Sequence, residues 1–145
     1  MMKIKFKKLH PEAQLPASAY ERASGFDLVA NEDILIQTGQ IYSVNTGLQL
    51  ADVSDPDIEI QIRPRSSLAE KWIIIPNSPA TIDNDYRGEI KILLLNLGRF
   101  THKIKKGEKY AQLVISRVVR GVEFQLTEEV SETERGCRGF GSSND

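Results

Sequence analysis

Cysteine and histidine are almost absent from this sequence. The single cysteine, Cys137, excludes an intrachain disulfide, and the two histidines lie too far from it to form a set of zinc ligands. There is no disulfide framework to suggest secretion, no signal peptide and no long apolar run, so we expect a cytoplasmic protein that does not enter a membrane. The net charge of -1 gives no general attraction to nucleic acid.

Helical periodicity is scarce, and short strand patterns separated by turn residues replace it. At 145 residues with 40% hydrophobic content, one domain with an all-β fold is expected, either a jelly-roll-like sandwich or a barrel. The clearest pattern is Ile58, Ile60 and Ile62 alternating with polar residues before Pro64. The predicted strands are 3–9, 34–37, 40–50, 57–63, 73–75, 90–97, 101–104 and 109–119, with a short one after the turn at 24–28.

Two further segments complete the predicted organisation. Residues 66–72 are expected to form one short helix, with Ser66 or Ser67 as its N-cap. Residues 1–126 are expected to form a single β domain. The polar, glycine-containing segment 127–145 is expected to be a flexible arm, with a frayed terminus as the alternative.

The stretch 80–92 (ATIDNDYRGEIKI) collects polar groups of several kinds on one predicted turn. Two carboxylates, Asp83 and Asp85, are followed directly by Tyr86 and then by an apolar run. Asp, Asn and Gly favour turns, whereas the isoleucines and leucines favour a buried strand. Polar side chains on a turn with a rigid strand behind it suit a polar ligand. A solvated turn that caps a strand is the alternative.

Two segments have the composition of anion sites. Residues 65–67 (RSS) place a guanidinium beside two hydroxyls at the start of the predicted helix. Residues 135–143 (RGCRGFGSS) combine arginines with glycines that let backbone amides approach phosphate. The second segment lacks the Lys-Ser/Thr pair of a Walker A loop. An ion pair of Arg65 with Glu59 or Glu70 is the alternative for the first.

Taken in order, five segments resemble the five motifs of the trimeric dUTPase family. They span nearly the whole chain, although Ala80, Trp72 and Arg138 depart from residues that are common in the family. The segments are 23–28 (ASGFDL), 64–69 (PRSSLA), 77–89 (NSPATIDNDYRGE), 107–113 (GEKYAQL) and 135–143 (RGCRGFGSS).

The resemblance implies a jelly-roll-like fold, a homotrimer and Mg²⁺-dependent hydrolysis of dUTP to dUMP and pyrophosphate, which would limit uracil in DNA and supply dUMP for dTMP synthesis. It also implies active sites shared among subunits. One chain would give the first, second and fourth motifs, a second chain the third motif, and a third chain its C-terminal arm.

The resemblance also implies roles for single residues. Asp83 resembles the general base that activates the attacking water, Asp27 the carboxylate that holds Mg²⁺ through water, and Gln112 a contact to phosphate or water. The implied phosphate ligands are Arg65, Ser66, Ser67, Arg135, Gly139 and Ser142. The implied uracil and deoxyribose contacts are Asn77 on a β-hairpin, Ile82, Tyr86, Lys91 and Phe140 as an aromatic lid.

Two other functions stay open from the sequence. A dCTP deaminase, or its bifunctional variant, shares the fold but needs a glutamate placed to activate water at the pyrimidine C4. A non-enzymatic jelly-roll trimer could use its arm to bind partners, although the combination of Asp83, Arg65 and Tyr86 argues against this. Release of pyrophosphate from dUTP, and deamination of dCTP, distinguish the three.

Overall fold

The computed structural model describes residues 1–140, which form ten strands and one short helix. No helix in this part of the chain has the length and apolar character to cross a membrane. The elements are β1 (Ile4–Lys8), β2 (Gly25–Val29), β3 (Ile34–Ile36), β4 (Ile41–Val53), β5 (Ile58–Pro64), α1 (Ser66–Ala69), β6 (Ile73–Ile74), β7 (Ala80–Ile82), β8 (Glu89–Asn96), β9 (His102–Ile104) and β10 (Lys109–Arg117).

Two four-stranded antiparallel sheets enclose one core. Their strand orders are β1-β4-β8-β6 and β2-β10-β5-β7, and the pair β3-β9 forms a third, smaller sheet. Leu48 and Ile92 from the first sheet belong to the same buried cluster as Ile60 and Leu113 from the second. The predicted all-β, jelly-roll-like fold with one short helix is therefore confirmed.

Strand β5 follows the sequence pattern and also pairs with a strand that the pattern did not predict. Ile58, Ile60 and Ile62 are at most 1% exposed, which confirms the alternation. On its outer edge β5 pairs with β7, which places Ile82 opposite Ile60. The three residues of β7 are too few to show a period of two, so only the long-range pairing reveals this strand.

The helix α1 is shorter than predicted, and its predicted cap is wrong. The N-cap is Arg65, whose backbone is extended with φ of -99° and ψ of 143°. No side chain accepts a capping hydrogen bond from the first turn, so neither Ser66 nor Ser67 caps the helix. After Ala69 the chain changes to i→i−3 hydrogen bonds, from the Lys71 N–H to the Leu68 carbonyl and from the Trp72 N–H to the Ala69 carbonyl, each at 2.9 Å, and Trp72 then has a φ of 60°. This left-handed conformation cannot continue an α-helix. The Trp72 carbonyl instead accepts a hydrogen bond from the Leu97 N–H at 2.8 Å.

Asn96 is a buried polar residue that joins β8 to its surroundings. Its side chain is 1% exposed, and its Nδ2 donates to the carbonyl oxygens of Ile36 and Phe100, each at 2.8 Å. Its Oδ1 accepts from the Gly98 N–H at 2.8 Å. Every polar atom of this side chain is satisfied, so Asn96 fixes β3 and the β8–β9 loop against the sheet.

We expect Asn96→Ala to lower the free energy of unfolding by about 1–3 kcal/mol, because it leaves buried backbone groups without partners. Asn45→Ala, at an exposed position on the neighbouring strand β4, is the matched control and should change stability by no more than about 0.5 kcal/mol. Urea unfolding of both variants measures the difference. Equal stabilities would show that Asn96 does not hold the loop.

Candidate active site

Asp27 lies at the centre of a charged cluster built from three parts of the chain. Its Oδ1 pairs with Arg65 Nε at 3.2 Å, and its Oδ2 pairs with Lys109 Nζ at 2.8 Å. The strand order β2-β10-β5 brings these residues together, because Asp27 lies on β2, Lys109 begins β10 and Arg65 follows β5. The alternative partners of Arg65, Glu59 and Glu70, are therefore wrong.

Gln112 completes this cluster from the middle of β10. The register places it opposite Asp27 on one side and Arg63 on the other. Its Nε2 donates to the Pro64 carbonyl at 2.9 Å. A Cβ atom added at Gly25 would lie 2.2 Å from Gln112 Oε1, so a larger residue at that position would displace the end of the Gln112 side chain.

Ser66 and Ser67 are exposed where α1 begins, directly after Arg65. Capping of the helix does not occupy either hydroxyl. The cluster around Asp27 therefore offers a guanidinium, an ammonium, an amide and two hydroxyls. Cations and neutral donors of this kind bind a polyphosphate well.

A second cluster lines a cleft of about 170 Å³ where β7 ends and β8 begins. Ile82, Asp83, Tyr86 and Lys91 all line this cleft, so the structure brings these four predicted residues together. Asn77 is not among the lining residues. It is exposed on the connection between β6 and β7, and because these strands belong to different sheets, it does not lie on the expected β-hairpin.

The Tyr86 ring is held in one position by its own turn. The Tyr86 N–H donates to the Asp83 carbonyl at 3.0 Å, and the phenol Oη donates to the Glu89 carbonyl at 3.1 Å. A Cβ atom added at Gly88 would lie 2.2 Å from the same Oη. The ring thus packs over Gly88, where any larger side chain would displace it.

The two clusters lie at opposite ends of β5. Ile82, which directly precedes Asp83, pairs with Ile60, whereas Arg65 follows Pro64 at the end of the strand. Four residue steps separate Ile60 from Pro64, which is roughly 13 Å of strand. Within one chain, the carboxylate of Asp83 is therefore remote from the cations around Asp27.

The C-terminal segment lies outside both clusters. Arg135 Nε donates to the Arg138 carbonyl, and Arg138 Nε donates to the Arg135 carbonyl, each at 3.0 Å. Phe140 is fully exposed. Up to residue 140 this segment, with Gly139, contributes no side chain to either cluster, and Ser142 lies outside the described residues.

Tyr110 lies between two residues of the Asp27 cluster but points into the core. It is 1% exposed, and burial raises the pKa of its phenol well above the ordinary value. It is therefore a neutral core residue and not an acid or base of the site.

Three residues that hold these clusters were not predicted. Lys109 pairs with Asp27, Glu89 Oε1 accepts from the Gly47 N–H at 2.9 Å, and Asn84 Nδ2 donates to the backbone of the β4–β5 loop. Lys109 could have been found, because it is a cation inside the segment 107–113. The other two contacts join residues about 30 or more positions apart, and no local pattern indicates them.

The fold and the clusters define a small antiparallel β protein with a cationic site and an aromatic cleft at opposite ends of one strand. A family model described as dUTPase matches residues 11–144. A deoxyuridine 5'-triphosphate nucleotidohydrolase of Nautilia profundicola is 50% identical over 143 residues, covering 98% of this chain and 99% of the relative. Another, from Zymomonas mobilis, is 45% identical and covers 98% and 97%.

This chain belongs to the dUTPase family, which confirms the resemblance seen in the sequence. Among solved structures, the Staphylococcus bacteriophage 80alpha dUTPase with dUPNHPP has a TM-score of 0.85. The two are 22% identical, and the likeness covers 97% of each chain. That likeness concerns the fold.

We expect Arg65→Ala to weaken binding of tripolyphosphate roughly tenfold or more, because a charge-assisted donor is lost from the cluster. Arg63→Ala is the matched control, since this exposed arginine lies two residues before Arg65, on β5, and its Nη2 donates to Gln61 Oε1 at 2.6 Å instead of pairing with Asp27. Isothermal titration calorimetry measures both affinities. Equal weakening in the two variants would indicate general charge attraction and not a site.

Proposed function

We propose that this chain hydrolyses dUTP to dUMP and pyrophosphate, with Asp83 activating a water that attacks the α-phosphate. The observation that carries the proposal is the convergence of Asp27, Arg65 and Gln112, from three separated motifs, on one cluster suited to phosphate. Membership of the dUTPase family, with relatives named as deoxyuridine 5'-triphosphate nucleotidohydrolases, supports dUTP as the substrate.

The Asp27 cluster binds the triphosphate in this proposal. Arg65, Ser66 and Ser67 donate to phosphate oxygens, and Gln112 contacts a phosphate or a water. Phosphoryl transfer depends chiefly on positioning and on neutralising charge, so ligands of this kind suffice without a covalent intermediate.

The donor set around Asp27 fits Mg²⁺ that is held mainly by phosphate oxygens and water. Among residues 1–140, no three His, Cys, Asp or Glu side chains come together as a metal site. A single, largely buried carboxylate such as Asp27 would hold the ion through a water. When bound, Mg²⁺ neutralises charge on the triphosphate.

The cleft beside Asp83 accommodates the nucleoside. Tyr86, whose ring is fixed over Gly88, lies under the deoxyribose and leaves no room for a 2'-hydroxyl, which excludes UTP. Ile82 and Lys91 line the space for uracil. Asn77, which lies outside this cleft on the β6–β7 connection, contacts the base as the family resemblance implies. Buried groups left unpaired by cytosine then discriminate against dCTP.

The separation of the clusters along β5 supports a site shared by three chains. A triphosphate held by one chain's Arg65 meets Asp83 and Tyr86 of a second chain in a homotrimer. The C-terminal arm of a third, with Arg135, Gly139, Ser142 and Phe140, closes over the nucleotide and excludes water. The product dUMP is then available for dTMP synthesis in the cytoplasm.

We expect Asp83→Asn to lower kcat for pyrophosphate release by ~10²–10⁴-fold, the usual range for a lost general base. Affinity for dUTP should stay similar or tighten, because a negative charge near the triphosphate is removed. Asp85→Asn removes the same charge two residues away and is the matched control, with a much smaller loss. An inactive Asp85→Asn variant beside a normal Asp83→Asn variant would reassign the base. Deamination of dCTP by the unaltered protein, without release of pyrophosphate from dUTP, would refute the proposed reaction.

We expect two impaired variants, Asp83→Asn and Arg65→Ala, to recover part of the lost activity when their subunits are mixed. In randomly exchanged trimers about a quarter of the sites combine an intact Arg65 with an intact Asp83 from another chain. Pyrophosphate release before and after subunit exchange measures this. The control is a protein that carries both substitutions in the same chain, taken through the same exchange procedure. If the mixture of the two single variants does not recover activity, the proposal of shared sites is refuted.

A further inference from the structure

The carbonyl oxygen of Pro56, in the β4–β5 loop, accepts hydrogen bonds from two distant side chains. Asn84 Nδ2 donates to it at 3.0 Å and also donates to the Asp55 carbonyl at 3.2 Å. Arg120 donates to it from Nε at 3.0 Å and from Nη2 at 2.7 Å. One backbone atom therefore connects the turn at 83–86 with the residues that follow β10.

The two donors, Asn84 and Arg120, lie next to the proposed general base and at the start of the C-terminal segment. Asn84 directly follows Asp83, so its side chain fixes the backbone that carries that carboxylate. Arg120 lies three residues after the end of β10, at the start of the C-terminal segment. It is held there by Asp57, whose Oδ1 lies 3.4 Å from Arg120 Nε. A cleft of about 500 Å³ that is lined by Asp83, Asn84 and Arg120 adjoins these contacts.

The Tyr86 half of the turn is held by different contacts. The Tyr86 ring bonds to Glu89 and packs over Gly88. Arg87 Nη1 donates to the carbonyl oxygens of Asn84 and Tyr86, at 2.8 and 3.1 Å. The Tyr86 N–H also donates to the Asp83 carbonyl at 3.0 Å, so the backbone between the two residues keeps one contact without the Asn84 side chain. Loss of that side chain removes the contacts that fix the Asp83 end of the turn to the β4–β5 loop, while the Tyr86 ring keeps its contacts with Glu89 and Gly88.

We propose that Asn84 is the positioning residue for Asp83, and that Arg120 supports it through the shared Pro56 carbonyl. This inference rests on the proposed role of Asp83 as general base. A base must stay within hydrogen-bond reach of its water, and a displacement of about 1 Å can cost ~10²-fold in rate. Asn84 itself contacts backbone carbonyls and not substrate.

The test measures kcat and KM of Asn84→Ala with dUTP and with UTP. We expect kcat for dUTP to fall roughly tenfold or more, with KM within about twofold of the unaltered protein. The ratio of kcat/KM for dUTP over UTP should stay unchanged, because Tyr86 keeps its position. In an Asp83→Asn background, Asn84→Ala should cause no further loss, since it acts only through that carboxylate.

Arg120→Ala provides a second variant at a half-exposed site where folding is not at risk. It should lower kcat about threefold, and its effect should not multiply with that of Asn84→Ala. Arg117→Ala is the matched control, because Arg117 pairs with Asp55 at 2.9 Å on the same loop and does not contact the Pro56 carbonyl. It should leave kcat unchanged.

A normal kcat in Asn84→Ala would overturn the inference, and so would a further loss of kcat when Asn84→Ala is added to Asp83→Asn. A fall in the ratio of kcat/KM for dUTP over UTP would also overturn it, because it would mean that the whole turn is disordered. If Asn84→Ala does not fold, a normal kcat in Arg120→Ala overturns it, and a selective loss relative to Arg117→Ala supports it. Failure of the unaltered protein to release pyrophosphate from dUTP would instead refute the proposed function.

Discussion

The register of β10 between β2 and β5 is the constraint on which both the core and the candidate site depend. Asp27, Gln112 and Arg63 lie side by side on the neighbouring strands β2, β10 and β5. The Asp27 cluster forms at the β2 end of this row. A shift of one residue would turn Gln112 into the core and bring a buried residue such as Leu113 to the surface. The packing of apolar residues on the inner face therefore fixes the positions of the polar groups on the outer face.

Much of the fold could be predicted because its signals are local. The alternation of Ile58, Ile60 and Ile62 needs no information beyond the segment itself, and the same holds for most other strands. The N-cap and the length of α1 were wrong for local reasons, whereas the other failures involve partners distant in sequence. Strand β7 is too short to show a pattern without β5, and Arg65 pairs with Asp27 instead of with a nearby glutamate.

The residues of the candidate site also fall into those that were expected from the sequence and those that only the structure revealed. The residues implied by the family resemblance include two groups that the structure brings together, one around Asp27 and one beside Asp83. Neither Asn84 nor Lys109 was assigned a role from the sequence. The hydrogen bonds of Asn84 to loop carbonyls leave no local pattern, whereas Lys109 could have been found as a cation within the segment 107–113. Arg65 Nε pairs with Asp27, and Nη1 donates to the Lys109 carbonyl. These two contacts orient the guanidinium before a ligand binds, and Nη2 is left to donate to an incoming anion.

The left-handed backbone at Trp72 has a consequence for the stability of the protein. A bulky residue in this conformation costs about 1–2 kcal/mol relative to glycine, and its indole is largely exposed, so burial of the ring recovers little of that cost. The contacts of the rest of the fold must offset this cost, because the exposed ring does not. Drift toward glycine here would increase thermal tolerance without involving any residue of the two clusters.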